Sequence, residues 1–108
     1  MPATKIDLSS FTADVSNTIT TALGYIDSAG KAEKAAREKS AAVRVPATLG
    51  ASEASSAKAI FASVDAQQDA VVAAGLDPQV IFGSLLNYAT TLAQSAKGRL
   101  IDAANAAS

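Results

Sequence analysis

The chain has 108 residues, a formal net charge of -1 and an apolar fraction of 49%, which suits one domain with a single modest core. The charge balance argues against nucleic acid or an anionic membrane as a partner. Cysteine and histidine are both absent, which excludes disulfides, thiolate nucleophiles and the commonest acid–base and metal-binding side chain. We therefore expect no catalytic residue, no cofactor and no metal site.

The first predicted helix begins after Asp7, whose carboxylate can cap it. Two alternatives remain at Gly30, which either ends this helix in the left-handed conformation or is tolerated inside a longer one. Because the residues that follow favour helix, we predict one helix over 8–45 that Pro46 ends. Its apolar residues recur at steps of three and four, as on one face of an amphipathic helix: Leu8, Phe11, Val15, Ile19, Ala22 and Ile26.

The segment 31–44 is charged on almost every side. A helix of this kind either projects into solvent, stabilised by its own ion pairs, or meets another subunit. Its apolar stripe is thin and suits close packing against another small-residue surface; it consists of Ala29, Ala32, Ala36 and Val43. We predict an intermolecular contact with a protein partner or with a second copy of the chain. The side chains predicted to bind are cationic: Lys31, Lys34, Arg37, Lys39 and Arg44.

A turn is predicted at 46–52, where Pro46 and Gly50 interrupt the helix and Ser52 caps the next one. The second helix then covers about 53–74. Its buried seam steps by three and four and comprises Ala54, Ala57, Phe61, Val64, Gln68 and Val71. The Gln68 amide is either buried, setting register or subunit number, or at the edge of the seam. Gly75 ends this helix.

The last predicted helix, about 78–106, has the strongest start signal in the chain. Asp77 is the N-cap and Pro78 takes the first helical position, while Leu76 and Ile81 can close a hydrophobic staple over the turn. The short connection makes the last two helices an antiparallel hairpin. The predicted buried stripe again steps by three and four: Ile81, Leu85, Tyr88, Leu92, Ala96, Leu100, Ala103 and Ala107.

The remaining polar residues are better explained as surface residues than as a metal-binding or catalytic site. Asp65 and Asp69 lie one turn apart, which allows a shared hard cation, but they have no third ligand at helical spacing. A solvated acidic edge explains them better. The serine and threonine pairs have no neighbouring base that would activate a hydroxyl.

These patterns predict an all-α protein: a single domain over 1–108, built as an antiparallel up-down bundle of three long helices, or of four if the first is split at Gly30. The function they favour is a non-enzymatic structural or assembly subunit of a larger complex, such as a virion component or another helical or oligomeric assembly. The alternative is a small adaptor or regulatory module that binds one protein partner through segment 31–44. We expect no small-molecule substrate and, since no apolar run nears ~20 residues, no membrane span. The N-terminus lacks a secretory signal, so we expect the cytoplasm or an assembled particle.

Overall fold

The computed structural model describes residues 4–31 and 37–108, with the backbone alone for Arg37. In these residues all regular structure is helical and forms three helices: α1 (Ser9–Gly30), α2 (Arg37–Ala73) and α3 (Pro78–Ala107). The prediction of an all-α helical bundle is confirmed. None of the three helices combines the length and the apolar character needed to cross a bilayer.

The helix α2 lies between the other two and runs antiparallel to both. Near its end Gln68 contacts Ile6, which precedes α1, and near its start it contacts the end of α1. Along α3, Arg99 pairs with Glu53 of α2. The helices α1 and α3 therefore run in the same direction and are held together mainly through α2. The described chain is a rod with Cα extents of 63 × 17 × 15 Å.

The turn between α2 and α3 closes as the sequence predicts. Gly75 has a φ of 78°, and its N–H donates to the carbonyl of Val72. The N–H of Leu76 reaches back to the carbonyl of Val71, which completes the Schellman pattern of hydrogen bonds. Leu76 and Ile81, predicted to close a staple over this turn, are 48% and 49% exposed.

Both predicted aspartates accept a backbone N–H at the start of a helix, although Leu8 and not Asp7 takes the N-cap position of α1. The carboxylate of Asp77 accepts the N–H of Gln79 at 3.0 Å, and Pro78 takes the first position of α3. The carboxylate of Asp7 accepts both the N–H and the hydroxyl of Ser9, and these bonds lower the pKa of Asp7. The starts of α1 and α3 therefore each have a side-chain acceptor for a backbone donor that the helix itself leaves unpaired.

The prediction of one helix over 8–45 is wrong. The helix α1 ends at Gly30, and the N–H of Lys31 closes its last turn on the carbonyls of Asp27 and Ser28. The helix α2 then runs back along α1. Composition did not reveal this, because residues 31–45 favour helix in either case and only contacts distant in sequence decide its direction. Residues 32–36 lie outside the described chain.

The predicted turn at 46–52 is also wrong, because α2 continues through Pro46 as a helix. A proline inside a helix loses one backbone hydrogen bond and costs about 3 kcal/mol. Here Val43 and Ala47, on either side of Pro46, are both buried in one apolar cluster. Breaking the helix at the proline would expose that cluster, so tertiary packing outweighs the local preference.

Gly50, predicted to interrupt the helix, is instead a point of close approach between α2 and α3. A Cβ at this position would lie 3.1 Å from the carbonyl oxygen of Ala96 and 3.2 Å from the Cβ of Arg99. Alanines on all three helices are completely buried: Ala22 on α1, Ala54 on α2 and Ala96 on α3. Small side chains at this level let the helix backbones pack closely.

The buried apolar residues of the described chain form two clusters. One, here called the Phe61 cluster, contains Phe61, Leu8, Val15, Val64, Phe82 and several alanines. The other, the alanine cluster, contains Ala29, Val43, Ala47 and Ala103 at the opposite end of the rod. The predicted seam of α2 is confirmed, since every member from Ala54 to Gln68 is buried.

Candidate functional site

The helix α3 carries two parallel rows of apolar residues. The inner row packs into the bundle and is buried: Phe82, Ala89, Ala93, Ala96 and Ala103. The outer row, here called the outer stripe, consists of Ile81, Leu85 and Tyr88, whose exposed fractions are 49%, 41% and 58%. Leu92 continues this row and is half buried. The outer stripe is therefore a surface of large apolar side chains with no covering helix in the described chain.

The prediction that Ile81, Leu85 and Tyr88 face the core is wrong, whereas Ala96 and Ala103 of the same predicted stripe are buried as predicted. With the half-buried Leu86 included, the row that begins at Phe82 steps by four and three just as the outer stripe does, so helical spacing alone supports both choices. Residue size does not separate the two rows either, because Phe82 is larger than the aliphatic members of the outer stripe. The row of Phe82 is the buried one because it packs with Phe61 and Val64 of α2. A second apolar row beside the first was the available sequence signal for an exposed surface.

A row of α2 residues lies on the same side of the bundle as the outer stripe. Arg99, which continues that stripe by helical spacing, pairs with Glu53 through its Nε at 3.0 Å. Residues on α2 that share the face of Glu53 follow at steps of seven, seven and four: Ile60, Gln67 and Val71. Ile60 and Val71 pack against the Phe61 cluster. The joint face between Ile60 and Tyr88 consists of apolar and uncharged polar side chains.

The charged side chains on this face of the described chain lie at its two ends. Its far end is closed by the pair of Glu53 and Arg99, whose side chains are 22% and 44% exposed. A hydrogen bond from Ser95, together with Arg99, holds the pKa of Glu53 below its ordinary value, against the opposing effect of burial. Asp77, the cap of α3, marks the other end. Both carboxylates already have partners within the chain.

The cationic residues predicted to bind a partner do not form one cluster in the described chain. Lys31 is exposed and pairs with Asp27 at 2.9 Å. Lys39 is exposed beside a cavity of about 180 Å³ that Tyr25 also lines. Arg44 is exposed on a different face of α2, with Val45 and Leu49 close by. Lys34 and the side chain of Arg37 lie outside the described part of the chain.

The thin apolar stripe predicted to pack against another subunit is partly wrong. Ala29 and Val43 are buried in the alanine cluster of the same chain, where Ala47 and Ala103 cover them. They are therefore not available to a partner. Ala32 and Ala36 lie outside the described residues.

Gln68 is fully buried, which answers the question that the sequence left open. Its Oε1 accepts the N–H of Ile6 at 2.6 Å, and its Nε2 donates to the carbonyl of Ile6 at 2.9 Å. Beside it, Lys5 and Asp69 form an ion pair at 2.8 Å. Gln68 therefore holds residues 4–8 against the end of α2. No sequence pattern pointed to this role, because its partner is a backbone 62 positions away.

The paired carboxylates Asp65 and Asp69 also have a place in this contact. Asp69 binds Lys5, and Asp65 lies 3.5 Å from the Gln68 amide nitrogen. Across residues 4–31 and 37–108, no group of three metal-ligating side chains comes together. The acidic edge thus pairs with the N-terminal segment.

Comparisons with protein-family models, with curated proteins and with solved structures found no match for this chain. Its function is therefore argued from its surface alone.

Proposed function

We propose that this protein is a non-enzymatic structural or assembly subunit that joins other protein chains through the outer stripe of α3. The observation that carries the proposal is the exposure of Ile81, Leu85 and Tyr88 in one row on a rigid helix. Scattered apolar side chains are ordinary on a protein surface, whereas a contiguous row marks a site of association. A virion or another oligomeric assembly is the setting that suits such a subunit.

The energetics support association of moderate strength. Complete burial of one large apolar side chain yields about 1.5–3 kcal/mol, and each residue of the outer stripe is already about half buried. The row therefore offers roughly 3 kcal/mol on contact with a partner, before the cost of lost rotational freedom. That amount suits a subunit that is held by several neighbours at once.

The test is the mass of the protein in solution over a range of concentrations, measured by sedimentation velocity. We expect the wild-type chain to form oligomers as its concentration rises, and Leu85→Glu to remain monomeric because a carboxylate would be buried in the contact. Circular dichroism would verify that the variant keeps its helices. A wild-type chain that is monomeric at every concentration contradicts the proposal.

The chain offers a matched control on the same helix. Ile101 is 62% exposed and, at 100° per residue, lies roughly 160° around α3 from Ile81. The variant Ile101→Glu introduces the same charge at another exposed apolar position of α3. It should associate like the wild type. Equal effects of the two variants would show that charge, and not the outer stripe, controls association.

A second candidate function is an adaptor that binds one protein partner through the charged segment 31–44. The observation in its favour is the cationic Arg44 beside two exposed apolar side chains, Val45 and Leu49. Such a mixed surface suits an acidic partner with an apolar centre. A monomer that binds a single protein, with Arg44→Glu abolishing that binding and Leu85→Glu leaving it intact, would favour this function over the first.

A further inference from the structure

We infer that the outer stripe takes a second copy of this chain, packed antiparallel along α3 about a two-fold axis between Leu85 and Tyr88. This inference rests on the proposed function, because it names the partner of the same surface.

The spacing of the outer stripe is self-complementary. Ile81, Leu85, Tyr88 and Leu92 follow at steps of four, three and four, which is the seam of a coiled coil. A two-fold axis midway along this row places the seam of the second copy antiparallel to the first, so that the side chains of the two copies lie opposite each other in pairs. Ile81 then lies against Leu92 of the second copy, and Leu85 lies against its Tyr88. Every layer pairs one apolar side chain with another.

The charges around the seam favour a second copy over an unrelated protein. The exposed residues beside it are uncharged on the α3 side, Ser84 and Thr91, and on the α2 side, Ser63 and Gln67. The charged groups at its far end, Glu53 and Arg99, already pair with each other. A partner that brought a charge to this face would bury it without a counter-ion, at a high cost. An identical face brings none.

The available area sets the strength of the contact. In this register residues 78–95 of the two α3 helices overlap over about 27 Å. With a rod 17 Å wide, the overlap covers roughly 450 Å² of each copy in projection, against about 800 Å² per partner in stable complexes. We therefore expect a weak dimer that forms only as the protein concentration rises.

The experiment is cysteine cross-linking in a chain that has no cysteine of its own. Two single variants, Ile81→Cys and Leu92→Cys, would be oxidised separately and as an equal mixture. In the antiparallel register each cysteine lies opposite the other variant's cysteine and about 16 Å along the helix from its own symmetry mate. We expect a disulfide-linked heterodimer in the mixture and at least tenfold less linked product from either variant alone.

The outcomes separate this inference from the proposed function. Linked homodimers of Ile81→Cys alone would indicate parallel packing and overturn the inference, while leaving association through the outer stripe in place. Oligomers that form without any cross-link, and that Leu85→Glu does not weaken, would place the contact elsewhere and overturn both.

Because Leu92 is half buried, melting curves of the two variants would establish that each is folded. If Leu92→Cys is unfolded, mixing Leu85→Glu with Tyr88→Lys replaces it, because these two positions face each other in the antiparallel register. Each variant alone should be monomeric and the mixture should dimerise, and a mixture that stays monomeric counts against the inference.

Discussion

The side-chain amide of Gln68 pairs with the backbone of Ile6, accepting its N–H and donating to its carbonyl. The contact ties residues 4–8 to the far end of α2, and the ion pair of Lys5 with Asp69 lies next to it. It explains why a polar residue interrupts an otherwise apolar seam. The amide replaces the hydrogen bonds that a segment without secondary structure would otherwise lack.

Replacing this amide should therefore destabilise the protein. Gln68→Leu leaves the N–H and carbonyl of Ile6 without partners, which costs about 1–3 kcal/mol, and urea denaturation would measure the loss. The matched control is Gln67→Leu, because Gln67 is exposed and bonds only within its own helix, to Ser63. It should have little effect.

The opposite result would have a clear meaning. If Gln68 served to set subunit number, Gln68→Leu would raise the melting temperature and give mixed oligomers. A stabilised variant with mixed mass would thus reject the backbone-pairing role.

Because α2 and α3 approach closely at Gly50, alanine substitutions at Gly50 and at Gly98 should change the stability of the protein in opposite directions. Alanine is the better helix former by about 1 kcal/mol, yet Gly50→Ala would place a methyl group against the backbone of Ala96. Overpacking costs roughly 1–3 kcal/mol, so after the gain in helix propensity we expect a net loss of up to about 2 kcal/mol. Gly98→Ala, on the open side of α3, should instead gain up to about 1 kcal/mol. Equal gains in thermal unfolding would contradict the close contact.

The ion pair at the end of the outer stripe predicts a pH dependence. The pKa of Glu53 is lowered from its ordinary value of 4.5 by Ser95 and Arg99, so below that pH the unfolded chain takes up more protons than the folded one. The stabilisation is present above pH 4.5 and is lost as pH falls through the lower folded-state pKa. Glu53→Gln should be less stable than the wild type at pH 7, and the difference should shrink towards pH 3.

The control for this titration is Gln94→Ala, at an exposed position of α3 that carries no titratable group. Its stability difference from the wild type should change less over the same range. A pH-independent difference for Glu53→Gln would mean that the carboxylate charge does not contribute.

The charged segment predicts a separate contribution to assembly. A two-fold contact through α3 closes on itself, so a larger assembly requires another surface, and we expect the cations of segment 31–44 to supply it. Reversing the charges of Lys34, Arg37 and Arg44 to glutamate should weaken assembly beyond the dimer, most strongly at low salt, where electrostatic attraction is least screened. Light scattering at two ionic strengths would measure it. Assembly that survives the triple reversal at low salt would leave the segment simply solvated.

The sequence correctly predicted the features that depend on residues close together in the chain, namely the turn between α2 and α3 and the buried seam of α2. The turn through Gly75, Asp77 and Pro78 forms as expected, because its hydrogen bonds join residues within a few positions of one another. The seam of α2 was also predictable, since a single apolar row is available on that helix. These features depend on the residue types and on their spacing alone.

The parts that the sequence did not predict are decided by contacts between distant residues. Pro46 stays helical because the alanine cluster holds both of its flanks. The inner row of α3 is buried and the outer stripe is exposed because Phe82 and the alanines of the inner row pack with Phe61 and Val64 of α2. The candidate interaction surface was hidden for the same reason: its residues were recognised as apolar, but their direction depends on how two helices pack.

The two apolar clusters leave the rod unequally protected along its length. Phe61 and Phe82 bury large rings at one end, whereas the other end relies on alanines and Val43 around a proline-containing turn of helix. The alanine end should therefore open more often, and its amide hydrogens should exchange with solvent faster than those near Phe61. The outer stripe lies at the aromatic end. Fraying of the weak end would thus leave the association surface intact.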